Sequence, residues 1–387
     1  MPQKNILIIC GEASGDLHAG NLAKEILKIN PQIRISGVGG PGLREAGARI
    51  FYDINGLAVI GLFDVLKKLP QFFSLKKLIL EKIRQEKPDA VIMVDFSGFN
   101  LRLAKAINKN IPIIYYISPQ IWASRTGRVK TIKKYISKII VLFKFEKEFY
   151  KKHGLDAELV GHPLLDITQP TMTKKELFNN LKFSENKTTI ALLPGSRKQE
   201  VKKNLPIMLK AGILISKEIP QAQFVIAKSP LVDWDTYNQK TRKRFWFFWK
   251  KAQKRPPNVM IVEGKTLDCL NIADFALVCS GTATLETAIM QKPFAIIYKM
   301  GLLNYLLYRP QIKIPYIGIV NIVAGKLVVP EFIQFGASPK KIAKTAIRIL
   351  KDPAKLERAK FDLGCVRNLL GEKGASTRAA RIIADTL

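Results

Sequence analysis

Short apolar runs of strand length alternate along this chain with longer stretches of helical period. Asn5–Cys10 is the first run, and the turn Gly11–Asp16 closes it and opens a helix through about Ile29. Further runs follow at Arg34–Val38, Asp89–Val94, Ile111–Ile117, Lys138–Phe143 and Ala157–Val160. From Thr168 to Lys187 the text turns polar, and an inter-domain linker is expected there. A second series then begins: Thr188–Leu193, Gln223–Ala227, Val259–Val262, Phe275–Cys279 and Pro293–Tyr298 read as strands, with a short helix at Leu267–Ile272. Ile317–Val323 is strand-like and Pro330–Phe332 reads as a turn. The pattern predicts α/β architecture: two doubly wound parallel halves in series, 1–167 and 188–340, facing a cleft. The tail 341–387 has a helical period and is expected to pack back toward the first half.

Composition changes this picture in one respect. The apolar fraction of 47% is ordinary, but 63 Lys and Arg stand against 31 Asp and Glu, a net charge of +32. Such an excess favours anionic partners: nucleic acid, an acidic membrane surface or phosphorylated substrates. The lysines form no single stripe and no nucleic-acid-binding motif is present, so nucleic acid is not expected as a partner. Four cysteines lie far apart without CxxC spacing, which points to reduced thiols in a cytosolic protein and to no metal cage. The apolar start is too short for a signal segment, and no run reaches membrane-spanning length. Two stretches suit a headgroup boundary as well as a core: the apolar segment 57–73 with its lysines, and the aromatic run 245–249 between the cations of 242–251.

Candidate chemistry sits at the strand ends. After Thr188–Leu193 come Pro194, Gly195, Ser196, Arg197 and Lys198. Ser196 is expected to cap the next helix, with Arg197 and Lys198 in its first turn, an arrangement suited to phosphate. Ser280, Gly281, Thr282 and Ala283 open a later helix with small residues that admit a diphosphate, and Glu286 is placed for a ribose diol. In the first half, Glu12, Ser14 and Asp16 follow the first strand, where doubly wound folds receive ligands. A helix cap by Ser14 or Asp16 is the plainer role for that turn. Asp95, just past Asp89–Val94, reads as a helix cap or a general base.

Several motifs occur in a specific order: Gly11–Asp16, Gly37–Pro41, Asp95–Asn100, Ser118–Ala123, Gly161–Pro163, Leu193–Arg197 and Ser280–Glu286, with Asn321 and Glu331 beyond them. Together they resemble the lipid-A-disaccharide synthases of Gram-negative bacteria over about residues 5–340. The resemblance implies a GT-B fold of two Rossmann-like domains, an acceptor-binding first half and a UDP-donor-binding second half. It also implies inverting glycosyl transfer without metal or cofactor, from UDP-2,3-diacylglucosamine to 2,3-diacylglucosamine 1-phosphate (lipid X). Asp95, Glu12 and Ser14 would be catalytic. Gly195, Ser196, Arg197, Ser280, Gly281, Thr282, Ala283, Glu286 and Asn321 would bind the donor. An anionic inner-membrane surface is the expected further partner, with the protein cytoplasmic and peripheral on that membrane, and a homodimer is an open expectation. Two positions depart from the family pattern: Ser97 stands where Pro is frequent, and Ser124 where a second Trp is usual. Another UDP-sugar enzyme of the same architecture, such as a UDP-N-acetylglucosamine 2-epimerase, is the alternative.

Overall fold

A computed structural model describes residues 4–54, 57, 68–230, 232, 256–311 and 314–387. The cationic aromatic stretch 242–251 and residues 58–67 of the apolar segment 57–73 lie outside the described residues. The chain divides into two compact units. Unit 1 comprises Met1–Asp166, Leu307–Lys313 and Leu370–Leu387; unit 2 comprises Ile167–Leu306 and Ile314–Leu369.

Unit 1 is built on seven parallel strands: β1 (Asn5–Ile9), β2 (Arg34–Gly39), β3 (Arg49–Asp53), β4 (Ala90–Val94), β5 (Ile113–Tyr116), β6 (Lys138–Val141) and β7 (Glu158–Leu159). Their spatial order is β3-β2-β1-β4-β5-β6-β7. The central strands β4 and β5 are buried along their whole length, which is why they appear in the sequence as unbroken apolar runs rather than alternating ones. Edge strand β3 (RIFYD) is half-buried and mixes polar with apolar residues, so it offers no such signal.

Unit 2 carries six parallel strands: β8 (Thr189–Leu193), β9 (Gln223–Lys228), β10 (Val259–Glu263), β11 (Phe275–Cys279), β12 (Phe294–Tyr298) and β13 (Glu331–Ile333). Their order is β10-β9-β8-β11-β12-β13. Its core gathers Ile190, Leu192, Phe224, Phe275, Leu277 and Ile297 from the strands against Met208, Ala211 and Ile215 of the Lys198–Glu218 helix.

Four local expectations change. The polar stretch after Thr168 is not a bare linker. Asp268 accepts hydrogen bonds from the Thr171 amide (2.7 Å), the Thr171 hydroxyl (2.8 Å) and the Met172 amide (2.8 Å). The helix Lys174–Leu181 then follows, closed at its start by a Thr173–Glu176 capping box. Ile317–Val323 is not a strand: Ile319–Ala324 is helical, because the Glu331 carboxylate accepts the amides of Ile317 and Gly318 at the helix start. Pro330–Phe332 is not a turn but leads into edge strand β13. Of the tail, the Pro339–Leu350 and Pro353–Leu369 helices belong to unit 2, and the Ala375–Ala384 helix belongs to unit 1. This last helix packs on the Ala13–Ile29 helix, with Thr377 donating to Glu25 at 2.7 Å. Arg378 donates to the Val160 and Glu372 carbonyls and secures the chain around Gly161.

Candidate functional site

In unit 1 the chain winds outward from β1 on one side and from β4 on the other, so the crevice above their C-terminal ends is the topological switch point. Glu12 and Ser14 enter it after β1 and Asp95 after β4. Asp95 and Phe96 both hold left-handed backbone conformations, φ 47° and 48°, which side chains rarely adopt. Their neighbours fix this conformation. The Asp95 carbonyl accepts from the Tyr115 hydroxyl (2.6 Å) and the Asn100 amide (2.9 Å), and the Asp95 amide donates to the Tyr116 carbonyl (3.3 Å). Strain held so firmly is the kind concentrated at functional positions. The Phe96 ring lies over Gly11, where a Cβ would collide with it, so the first motif needs glycine there. A Cβ on Gly15 would sit 4.0 Å from the Asp95 Cβ, so the start of the Ala13–Ile29 helix lies against that carboxylate residue. Glu12 is the N-cap residue of this helix and Ser14 its second residue, both half-buried. Ser97 opens the Ser97–Ile107 helix, the position at which proline is well tolerated. The departure from the family pattern at Ser97 therefore leaves the helix start intact.

Asp16 has a different role from either one the turn suggests. It is buried, and its carboxylate accepts the amides of Gly40 (2.6 Å), Gly42 (2.7 Å) and Leu43 (3.2 Å). It fastens the Gly39–Gly42 motif and caps the Pro41–Glu45 helix rather than its own, and no side chain caps the Ala13–Ile29 helix.

A second polar group in unit 1 escapes sequence reading. Glu146, buried in the Lys144–Lys152 helix, accepts from the Trp122 indole (3.1 Å) and from the amides of Leu142 and Phe143. Burial pushes its carboxyl up to about 7, against the pull of these hydrogen bonds. Trp122 lies edge-on to Phe145, Phe145 stacks on Phe143, and Phe143 meets His162, which faces His18 at 6.2 Å. Burial lowers His18 to about 4 and His162 to about 3, so both imidazoles are neutral near pH 7. The Ser118–Ala123 and Gly161–Pro163 motifs thus meet in one packed cluster. Its only signal in the sequence is the shared motif order, because Glu146 carries no motif of its own.

In unit 2 the switch point lies between β8 and β11, and the loops after these strands are the two phosphate candidates. Gly195 has φ +120°, and a Cβ there would lie 2.6 Å from Glu200 Oε2 and 3.4 Å from Cys279 Sγ. That contact brings the end of β8 beside the end of β11. Ser196 does not cap the helix with its hydroxyl. Glu200 reaches back instead, accepting the Ser196 amide (3.2 Å) and the Arg197 guanidinium (3.2 Å). Arg197 is the N-cap residue itself and Lys198 begins the helix. Asn204 joins the strand ends from the same helix, accepting the Lys299 amide at 3.0 Å and donating to Cys279 Sγ. Lys203 is pushed down by burial and by the nearby charges of Lys202 and Lys299, which marks a concentration of positive charge here.

Ser280 donates its amide to Ile297, and Gly281, at φ +151°, starts the Thr282–Ile289 helix. Space is open where a Gly281 side chain would stand, and Thr282 at the first helical position is exposed. The hydroxyls of Thr284 and Thr287 are spent on the carbonyls of Gly281 and Ala283. Glu286 is half-buried one turn on, and burial raises its carboxyl. Asn321 is the residue displaced from its expected role. It is fully buried, and its amide donates to Val329 and Glu331 and accepts from Val328 and Val329, all at 2.8–2.9 Å. With its side-chain hydrogen-bonding capacity used, Asn321 shapes the 317–331 segment, and its side-chain amide has no group left for a donor nucleotide.

Comparison with known proteins adds to this geometry. The family model described as lipid-A-disaccharide synthetase matches residues 6–384. The lipid-A-disaccharide synthase of Syntrophus aciditrophicus (strain SB) is 42% identical over 388 residues, covering 100% of this chain and 98% of that protein. Among solved structures, the S. aureus MnaA–UDP co-structure superposes with TM-score 0.64 at 15% identity, covering 99% of this chain and 98% of that one. The Acinetobacter baumannii MurG structure gives 0.56 at 13%, covering 99% of each. At such identity the structural likeness speaks for the fold alone, and the fold is of the GT-B type.

Proposed function

Because the chain belongs to the lipid-A-disaccharide synthase family and is a glycosyltransferase, we propose that unit 2 binds the UDP donor and unit 1 the sugar acceptor. The reaction transfers 2,3-diacylglucosamine from its UDP derivative to the 6-hydroxyl of 2,3-diacylglucosamine 1-phosphate. It yields the β-1,6 disaccharide 1-phosphate and UDP. The acceptor oxygen attacks the anomeric carbon while the bond to the diphosphate oxygen breaks, and the diphosphate leaves with the electron pair. Asp95 takes the hydroxyl proton as general base. Glu12 and Ser14 orient the sugar beside it. Arg197 and the first amides of the Thr282–Ile289 helix balance the charge of the departing diphosphate, and Glu286 accepts from the ribose. Gly195, Ser196, Ser280 and Ala283 contribute close backbone approach rather than side-chain chemistry.

The observation that carries the Asp95 assignment is its left-handed backbone at the switch point, held by Tyr115, Asn100 and Tyr116. Turnover of Asp95→Asn, with UDP affinity followed in parallel, tests it. Loss of a base costs about two or more orders of magnitude in rate with affinity retained. Near-normal turnover would sink the assignment.

The substrates carry acyl chains, so the protein works at the inner face of the cytoplasmic membrane, attached from the surface. None of the described helices is long and apolar enough to cross it, and the net charge of +32 supports attraction to anionic lipid.

A further inference from the structure

We propose that the Leu302–Tyr308 helix together with Phe335 is a docking surface for an anionic lipid bilayer; this rests on the membrane attachment proposed above and names the face that makes it. Leu302, Leu303 and Leu306 are 53%, 53% and 58% exposed, and Phe335 is 76% exposed. Isolated exposed apolar residues are ordinary, but large ones gathered on one element mark an interaction surface.

The gathering is built by the fold. Gln334 is buried at φ 48°, and its side-chain amide both accepts the Met300 amide (3.1 Å) and donates to the Met300 carbonyl (3.3 Å). This clasp ties the turn at Gln334–Gly336 to the start of the leucine-rich helix. It sets the Phe335 ring edge-on to Tyr305, 6.1 Å between centroids. A left-handed residue is thus held in place with a phenyl ring turned to water next to it.

Charge selects the occupant. The two segments that build this surface, 299–306 and 334–341, hold Lys299, Lys340 and Lys341 and no acid. The acid just before the second segment, Glu331, is occupied by the amides of Ile317 and Gly318 and by Asn321. A second copy of the chain on this face would set cation against cation, whereas an anionic leaflet complements it. Leucine, tyrosine and phenylalanine side chains with cations in the same segments are the composition of an interfacial surface.

The test is co-sedimentation of the full chain with vesicles of equal parts phosphatidylglycerol and phosphatidylcholine, and with phosphatidylcholine alone. We expect wild type to bind the anionic vesicles. Leu306→Ser with Phe335→Ser should weaken that binding by at least about tenfold, with the circular dichroism spectrum and thermal midpoint unchanged. A separate Lys340→Glu, Lys341→Glu variant leaves the apolar face intact and replaces cations at a helix start with favourable acids. It should lose binding to the anionic vesicles specifically. Wild-type binding that survives both variants overturns this surface while leaving membrane attachment standing. Failure of wild type to bind either vesicle overturns the attachment itself. A lipid-free oligomer that falls to monomer in the Leu306→Ser, Phe335→Ser variant identifies a second copy as the occupant and overturns the proposal.

Discussion

Replacing Asp16 separates a structural carboxylate from a catalytic one. In Asp16→Ala the amides of Gly40, Gly42 and Leu43 lose their acceptor, and Gly40 and Leu43 are buried where water cannot replace it. An orphaned buried amide costs about 1–3 kcal/mol, so two of them place the loss at about 2–6 kcal/mol. The Pro41–Glu45 helix is far too short to persist without its cap. Asp16→Asn keeps the volume but puts an NH2 group against one of these amides, donor facing donor, and should recover at most part of the loss. Two units need not unfold together, so one global unfolding free energy is the wrong observable. Hydrogen exchange read by mass spectrometry over residues 37–46 reports the site itself. The expected result is loss of protection there in both variants, together with a lowered first thermal transition. Unchanged protection, with stability within about 0.5 kcal/mol of wild type, would refute the reasoning. It would return Asp16 to the crevice as a ligand-facing acid.

Other substitutions probe the remaining assignments. Glu146 titrates near 7 in the fold against 4.5 for an ordinary glutamate, so between those values the native state holds a proton that the unfolded chain has released. Its contribution is whole below about pH 4.5 and is lost as pH rises through 7, a change of about 3 kcal/mol. His18 and His162, lowered by burial, act in the opposite sense as pH falls below about 6.5, so the wild-type curve alone mixes the two effects. The stability difference between wild type and Glu146→Gln, from urea unfolding across pH, isolates the glutamate and should decline over that window; a flat difference contradicts the account. Asn321→Ala leaves the amides of Val328 and Val329 without acceptors, and the buried one, Val329, should cost about 1–3 kcal/mol in unit 2, seen as faster exchange at those amides. Unchanged exchange would argue against the structural role. For Arg197→Ala, calorimetry should find UDP affinity lowered by about tenfold or more; equal affinity would move the diphosphate elsewhere.

The strands were legible wherever burial on both faces makes a run continuously apolar, as at Ile6–Ile9, Ala90–Val94 and Phe275–Cys279. They were not legible where a strand lies half-buried at an edge, as at Arg49–Asp53. Ile319–Ala324 shows the limit of composition: its β-branched residues suit a strand, and a carboxylate at Glu331 decides for helix. Site residues followed the same division. The positions of Glu12, Asp95, Arg197 and Ser280–Ala283 come from the chain reaching a strand end, which is a local property. The roles of Asp16, Glu200 and Asn321 depend on who bonds to them. The partners of Asp16 lie 24 to 27 residues away, and the cap predicted for Ser196 is supplied by Glu200, one helical turn on. Motif spacing brings an acid to a crevice but does not say which amides it accepts.

Product analysis tests the central claim most directly. Purified protein is incubated with UDP-2,3-diacylglucosamine and 2,3-diacylglucosamine 1-phosphate, and the mixture is resolved by mass spectrometry. The account predicts a tetraacylated disaccharide 1-phosphate and an equimolar amount of UDP, with no product from a donor lacking acyl chains. A UDP-sugar isomerised without change of mass, or UDP released with no disaccharide formed, would contradict it.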